Sequence, residues 1–250
     1  MRIDPKASAS ACLLSGLLAL GAAAPVGAQA AEPELPAEQV EQIVRDLLLR
    51  EPEIVLQALE QLQRRQAAEQ ARRQQESIAA NQAALVSDPA SPVGGNPEGD
   101  VTLVEFFDYR CAYCRRVVSS MQALMQEDRQ LRIVFKELPV LGEDSVRAAR
   151  AALAAERQGR YTPFHFALMT SEDLSPDAIR QLAAELGLDP DQLEQDMNAP
   201  EIQEAIDANY RLAQELGIEG TPAFVVGDEL IPGAVDKGRL EALIADARAG

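Results

Sequence analysis

The hydrophobic pattern of residues 37–62 has the period of an α-helix and is interrupted once, at Pro52. The residue before a proline disfavours helical geometry, so we predict two short amphipathic helices in succession. Their apolar positions are Val40, Ile43, Val44, Leu47 and Leu48 in the first helix, and Ile54, Val55, Ala58, Leu59 and Leu62 in the second. Two such helices cannot bury their apolar faces alone, so we expect them to pack on another subunit or to fold back onto the rest of the chain.

Beyond Leu62 the apolar stripe fades, and residues 61–77 are mainly polar helix formers with four arginines. This pattern predicts a solvated helical stalk whose arginines lie beside acidic neighbours, in preference to a site for an anionic partner. Residues 86–100 concentrate Pro, Gly, Asp and Ser, which is typical of a domain boundary. We therefore assign residues 31–87 to an N-terminal helical segment and residues 88–250 to a separate domain.

From Val101 onward the pattern changes to that of an α/β domain. Residues 101–107 and 131–138 are rich in β-branched and aromatic residues and predict two strands, with a helix over 111–127 between them. This strand–helix–strand order indicates parallel strands. Several helices punctuated by prolines follow, and then a hairpin over 223–233 and a closing helix. We predict an α/β core with a helical insertion at about 142–217.

The N-terminus predicts export. Arg2 and Lys6 precede an apolar run over residues 11–24, and Ala28 and Ala30 have the spacing of a small-residue cleavage site. We expect residues 1–30 to be a cleaved signal peptide and the mature protein to lie in the periplasm, with an uncleaved anchor as the alternative. Cys12 opens the apolar run, where a lipid-modified cysteine would follow it, so we do not expect a lipid anchor.

The composition of the chain excludes some classes of function. The formal net charge of −17 argues against a nucleic-acid partner, which requires a basic surface. The chain has three cysteines, and removal of the signal peptide would leave only Cys111 and Cys114. A disulfide-stapled secreted domain needs more cysteines than two, so this pair is better suited to chemistry than to a structural framework.

The stretch FFDYRCAYCRR places Cys111 at the end of a predicted strand and the start of a predicted helix, with Cys114 one turn further on. The free N–H groups and the dipole at a helix start stabilise a thiolate, which is the form that attacks a disulfide. A second thiol three residues later can resolve the mixed disulfide. A zinc site lacks ligands, since His165 is the only histidine. A two-thiolate Cu(I) site and inert buried thiols remain as alternatives.

The motif VEFFDYRCAYC, followed much later by GTPAFVVGDELIPGA, resembles the DsbA-like thiol–disulfide oxidoreductases. The resemblance implies a thioredoxin fold with a helical insertion, and a redox-active Cys111–Cys114 disulfide with no other cofactor. It also implies a cis-proline at Thr221–Pro222 that forms a wall for the substrate, and a buried acid at Glu105. Glu105 and Lys136 lie in apolar strands, and we expect them to pair with each other. The pair would either tune the ionisation of the cysteines or serve the structure alone. Many members have His between the cysteines where this chain has Ala112–Tyr113.

The N-terminal segment LPAEQVEQIVRDLLLREPEIVLQALEQLQRRQ resembles that of the suppressor of copper sensitivity protein C (ScsC) group. The resemblance implies a homo-oligomer, with a trimer favoured, that acts as a disulfide isomerase or reductase. A dithiol oxidase and a Cu(I)-binding copper-tolerance protein are the alternatives. The implied partners are proteins with thiols or disulfides and a membrane redox protein that resets the cysteines.

Overall fold

The computed structural model describes residues 35–249, so the predicted signal peptide and Cys12 lie outside the described residues. The chain divides into two compact units, the first ending at Ala58 and the second beginning at Leu59. Within residues 35–249, no helix is both long enough and apolar enough to cross a membrane.

Two helices begin the described chain. Helix α1 spans Ala37–Arg50 and helix α2 spans Glu53–Ala80. The break lies at Glu51, which has φ −129° and ψ 65° and directly precedes Pro52. The predicted interruption before Pro52 is therefore confirmed, because the pre-proline residue has left helical geometry.

The later part of α2 is solvated, as its polar sequence predicts. Its arginines pair with acids one turn away: Arg64 with Glu60 at 3.1 Å, and Arg72 with Glu69 at 2.8 Å. Each exposed pair of this kind contributes only about 0.3–0.5 kcal/mol. The helix becomes buried only near its end, at Ile78.

A mixed five-stranded sheet forms the core of the second unit. In chain order the strands are β1 (Val93–Gly95), β2 (Val101–Phe107), β3 (Leu131–Glu137), β4 (Ala223–Val226) and β5 (Glu229–Pro232). Their spatial order is β1-β3-β2-β4-β5. Strands β2 and β3 are parallel and are joined by helix α4 (Ala112–Glu127), whereas the other three pairings are antiparallel.

Residues 86–100 contain a short strand as well as turns. Val93–Gly95 forms the edge strand β1, with Val93 opposite Val134 of β3. The strand has three residues and two of them are glycines, so it carries no periodic signal. Close packing requires the glycine at position 94, where a Cβ would lie 2.8 Å from the Phe135 ring.

Helices cover the sheet and form the insertion. A short helix α3 (Gln82–Val86) lies before β1, five helices lie between β3 and β4, and α10 (Lys237–Ala249) follows β5. The five are α5 (Glu143–Glu156), α6 (Tyr161–Thr170), α7 (Pro176–Glu185), α8 (Pro190–Met197) and α9 (Pro200–Glu215). Helices α7, α8 and α9 begin at a proline, which fits the first helical position because the N–H there has no helical acceptor. The predicted α/β core with a helical insertion is confirmed.

The two faces of the sheet contribute to different parts of the core, because side chains alternate along a strand. On β2, Leu103 and Phe107 pack with α4 and the helices of the insertion. Val104 and Phe106 face the other way and pack with Ile78 and with Leu85 of α3. This alternation decides which buried charged residues can meet.

Candidate active site

Cys111 caps the N-terminus of α4. Its backbone is extended, with φ −73° and ψ 115°, and its Sγ accepts the N–H of Cys114 at 3.4 Å. The remaining free N–H groups and the dipole of a 16-residue helix stabilise negative charge at this position. The end of β2 and the start of α4 thus place the Cys111 sulfur at the N-terminus of a helix, against a free N–H group.

Both cysteines are buried, and they differ slightly in exposure. Cys111 is 6% exposed, whereas Cys114 is fully enclosed at 0%. Burial raises the pKa of the Cys114 thiol, so this group stays protonated at neutral pH.

The Thr221–Pro222 peptide is cis and lies against Cys111. The Cys111 thiol donates a hydrogen bond to the Thr221 carbonyl oxygen at 3.2 Å. The N–H of Gly233 donates to the Pro222 carbonyl oxygen at 2.8 Å, which ties the start of β4 to the end of β5. The hairpin thus brings Thr221 and Pro222 to the cysteines across a sequence separation of 110 residues.

A buried aspartate, which we did not identify from the sequence, organises the turn before Cys111. The Asp108 carboxylate accepts the N–H of Arg110 at 2.6 Å, the N–H of Leu141 at 3.0 Å and the hydroxyl of Ser145 at 2.7 Å. Asp108 is only 1% exposed, so these three donors replace its water shell. The available sequence signal was an Asp directly after a buried strand, where side-chain–backbone turns are common.

Glu105 lies on the sheet face covered by α4. It is 1% exposed, and burial raises the pKa of its carboxyl to about 8. At pH 7 about nine-tenths of such a carboxyl is protonated, so it adds little negative charge to this face of the sheet.

The expected pairing of Glu105 with Lys136 is wrong. In the register of β2 and β3, Glu105 is opposite Phe135 and Lys136 is opposite Phe106. Because neighbouring residues of a strand face opposite sides, the two side chains point to different faces of the sheet.

Lys136 is bound instead by the segment that precedes β1. Its Nζ donates to the Ala84 carbonyl oxygen at 2.6 Å, to Ser91 Oγ at 2.6 Å and to Asp88 Oδ2 at 3.1 Å. Lys136 is 0% exposed. Burial lowers the pKa of its ammonium group, and the Asp88 carboxylate opposes that shift. It therefore anchors residues 84–91 to the sheet, on the side away from α4.

A cluster of buried polar side chains around Glu137 lies on the same face of the sheet, the face covered by α4. The hydroxyls of Tyr109 and Tyr161 donate to Glu137 Oε1 at 2.9 and 2.8 Å, and the Tyr109 hydroxyl lies 3.0 Å from His165 Nδ1. Burial raises the pKa of Glu137, and it lowers that of His165 to about 3, so the His165 imidazole is neutral at pH 7. The His165 ring stacks on Tyr161, with centroids 5.5 Å apart, so it is packed within the core.

Exposed apolar side chains lie beside the cysteines. Tyr113, between them, is 57% exposed, and Val140 and Leu141, in the loop fixed by Asp108, are 47% and 52% exposed. The Arg116 guanidinium lies 4.9 Å from the centre of the Tyr113 ring. Such side chains offer an apolar contact to an extended polypeptide at the point where Cys111 would react.

No group of three or more His, Cys, Asp or Glu side chains within residues 35–249 is arranged to hold a metal ion. The described site therefore consists of two thiols, a cis-proline peptide and their supporting hydrogen bonds. These features, on a five-stranded sheet with α4 packed against it, define a protein of the thioredoxin fold with a Cys-x-x-Cys pair at the start of a helix.

Comparison with known families agrees with this class. The sequence profile of the DSBA-like thioredoxin domain matches residues 102–245, and that of the copper resistance protein ScsC N-terminal domain matches residues 38–69. The chain belongs to the DsbA-like thioredoxin family, whose members are thiol–disulfide oxidoreductases.

Solved structures show the same relationship. A thioredoxin-like oxidoreductase from Silicibacter pomeroyi is 49% identical with a TM-score of 0.66, covering 68% of this chain and 99% of that one. A linker-deletion variant of Proteus mirabilis ScsC is 28% identical with a TM-score of 0.66, covering 88% of this chain and 99% of that one.

This chain is also similar to one part of a larger protein. The Na(+)/H(+) antiporter NhaA of Herminiimonas arsenicoxydans is 30% identical over 172 residues, which is 66% of this chain. The match spans only 28% of the antiporter's own length.

Proposed function

We propose that this protein is a periplasmic thiol–disulfide oxidoreductase that acts on the cysteines of other proteins, as a disulfide isomerase or reductase in an oligomer. The observation that carries the proposal is the geometry of Cys111. Its sulfur caps α4, lies 3.2 Å from the Thr221 carbonyl oxygen beside a cis-proline, and is the more exposed of the two thiols.

The chemistry begins with Cys111. Its thiolate attacks a substrate disulfide, so that one substrate sulfur becomes bonded to Cys111 Sγ and the other leaves and takes up a proton. In isomerisation, a substrate thiolate later displaces Cys111 and a different substrate disulfide forms, with no net redox change. In reduction, Cys114 loses its proton and attacks Cys111 Sγ, which releases the second substrate thiol. The resulting Cys111–Cys114 disulfide then takes two electrons and two protons from a membrane redox partner.

Two observations support isomerisation or reduction over dithiol oxidation. The residues between the cysteines are Ala112 and Tyr113, so no imidazolium at those positions stabilises the reduced thiolate form. In addition, the ScsC N-terminal profile matches residues 38–69, the segment that we expect to join subunits.

The apolar surface of the N-terminal helices supports oligomerisation. Along α1, Val40, Ile43, Val44 and Leu48 are between 38% and 57% exposed, at helical spacing on one stripe. A helix of 14 residues with such a stripe is marginal in water unless the stripe is covered. We propose that copies of the same helices cover it, in a trimer.

Trapping tests the enzymatic proposal. Cys114→Ser should accumulate mixed disulfides with proteins through Cys111, because the resolving thiol is gone, and Cys111→Ser should accumulate none. Non-reducing gels of periplasmic extract, and refolding of a scrambled test protein by the wild type, give the two readouts. Absence of adducts together with absence of refolding would sink the proposal.

A separate variant tests the oligomer. Val44→Glu with Leu48→Glu should give monomers that still exchange thiols with a small disulfide but unscramble proteins poorly. Glu41→Gln with Arg45→Gln, on the same exposed helix, should leave the assembly intact. Light scattering measures the subunit number, and a monomeric wild type would contradict this part.

Cu(I) binding by the same two thiols is the alternative. Cys111 and Cys114 present two soft sulfur ligands within one helical turn, which is a reasonable Cu(I) site. Anaerobic titration with Cu(I) would favour this alternative if one equivalent binds tightly to the wild type, binding is lost in Cys111→Ser, and no mixed disulfide forms in the trapping experiment.

A further inference from the structure

The helical insertion contains a cavity that has no part in the thiol chemistry. It has a volume of about 480 Å³ and lies between the first turns of α5, the first turns of α7 and the length of α8. None of its lining residues belongs to the cysteine site or to the exposed apolar side chains beside it. A volume of this size lies in the range of small-molecule sites in proteins.

One wall of the cavity is apolar. Val146 of α5, Ile179 of α7, and Leu193 and Met197 of α8 line it. Ile179 and Leu193 are 3% and 2% exposed, so the wall is the edge of the hydrophobic core itself. An alkyl group placed here would leave water and contact packed side chains.

Three arginines line the same cavity, and two of them are neutralised. Arg147 donates to Asp144 Oδ1 at 2.7 Å and to the Leu174 carbonyl oxygen at 2.9 Å. Arg180 pairs with Asp191 and Glu194. These two guanidinium groups hold the helices together and leave little capacity for a ligand.

Arg150 differs from both. Its Nη2 donates to the neutral amide oxygen of Gln203, and its buried Nε has no hydrogen-bond partner among residues 35–249. No carboxylate of the described chain forms an ion pair with it. Arg150 is therefore the one partly buried guanidinium of the lining whose charge no carboxylate of residues 35–249 balances, and an anion in the cavity would supply that counter-charge.

The acidic side chains that line the cavity restrict which kinds of anion could bind there. Glu143 and Asp177 both lie at helix starts and are exposed, at the rim of the cavity. Two carboxylates at the entrance repel a multiply charged ligand more strongly than a singly charged one. The lining therefore favours a monoanion with an apolar body over a phosphate or a polyanion.

We propose that this cavity binds a small amphiphilic carboxylate, with the carboxylate on Arg150 and the alkyl chain along Val146, Ile179, Leu193 and Met197. A ligand carboxylate would pair with the guanidinium charge through an Nη group that faces the cavity, since the Nε is enclosed by the protein. The site would give the insertion a ligand of its own, separate from the disulfide chemistry.

Calorimetric titration of the full chain with decanoate tests the proposal, with decanol as the uncharged ligand of equal chain length. Arg150→Met removes the charge and keeps most of the apolar stem, and Arg211→Met, on an exposed turn of α9, is the matched control. Val146→Phe fills the cavity without touching the arginine. The exchange rate with a small disulfide, measured in parallel, keeps this test separate from the proposed thiol activity.

We expect saturable binding of one decanoate, at least about tenfold weaker binding of decanol and of decanoate to Arg150→Met, and no change in Arg211→Met. Val146→Phe should lose both ligands. Unliganded Arg150→Met should melt at the wild-type temperature or above it, since an uncompensated charge has been removed. Equal affinity for decanol, unchanged binding by Arg150→Met, no saturable binding at all, or a lower melting temperature of unliganded Arg150→Met would each overturn the proposal.

Discussion

Replacing Glu105 with glutamine should stabilise the protein at neutral pH. Glu105 is 1% exposed, and burial raises the pKa of its carboxyl from 4.5 to about 8. Folding at pH 7 therefore requires the carboxyl to take up a proton, which glutamine of the same shape does not need. The variant should therefore be more stable than the wild type by the free energy that the wild type spends on protonating this carboxyl.

The size of the effect follows from the two pKa values. Below pH 4.5 the carboxyl is protonated in the folded and unfolded chains alike, so its contribution to stability is fully present. As pH rises from about 4.5 to about 8, only the unfolded chain loses the proton, and the wild type is destabilised by about 1.4 kcal/mol per pH unit. Glu105→Gln should therefore gain about 1 kcal/mol at pH 5 and about 3 kcal/mol at pH 7, with no further increase well above pH 8.

Guanidinium unfolding of the reduced protein at pH 5, 6, 7 and 8 measures this difference. Glu204→Gln, on an exposed turn of α9, is the control for loss of one negative charge and should show a small difference that does not follow this pH profile. A gain in Glu105→Gln that stays constant with pH, or a loss of stability at pH 7, would refute the reasoning from burial.

Other predictions follow from the remaining buried charges and from the residue between the cysteines. Asp88→Asn should lower the free energy of unfolding by about 2 kcal/mol, and adding Lys136→Met should recover part of that loss. If the effects of the two single substitutions on the denaturation midpoint simply add in the double variant, the pairing of Asp88 with Lys136 is contradicted. Asp108→Asn should lower the free energy of unfolding by about 2 kcal/mol, because an amide cannot accept all three hydrogen bonds. The control Asp144→Asn should lower it by less than half as much in the same measurement. Tyr113→His should make the redox potential against glutathione less negative by about 30 mV or more, and a shift in the other direction would contradict the role given to this position.

The sequence was sufficient for the features that depend on local pattern. The strands at 101–107 and 131–137, the helix that follows Cys111 and the break before Pro52 all follow from periodicity or from proline geometry. The approach of Thr221–Pro222 to Cys111 is a long-range contact, and only the family resemblance suggested it. The three-residue strand β1 gave no signal, because a strand that short has no period.

The buried charges were harder to place from sequence, and the reason is geometric. Glu105 and Lys136 looked like partners because each is a charge in an apolar strand and the two strands are neighbours. The register shifts them by one position, which separates them by the full thickness of the sheet. The true partner of Lys136 is Asp88, 48 positions upstream in a segment that looks like a linker. Composition alone does not reveal that such a segment closes over a buried ammonium group.

The carboxylate of Asp108 has a consequence for redesign. One of its oxygens accepts the N–H of Arg110, next to the reactive cysteine, and the other accepts the N–H of Leu141, in the loop that presents an apolar contact. The loop that contains Leu141 and the turn before Cys111 are therefore both held in place by the Asp108 carboxylate. A loop transplanted from a relative to change client preference would also have to supply a donor at the Leu141 position and a hydroxyl at the Ser145 position, or it would move the cysteine together with the specificity.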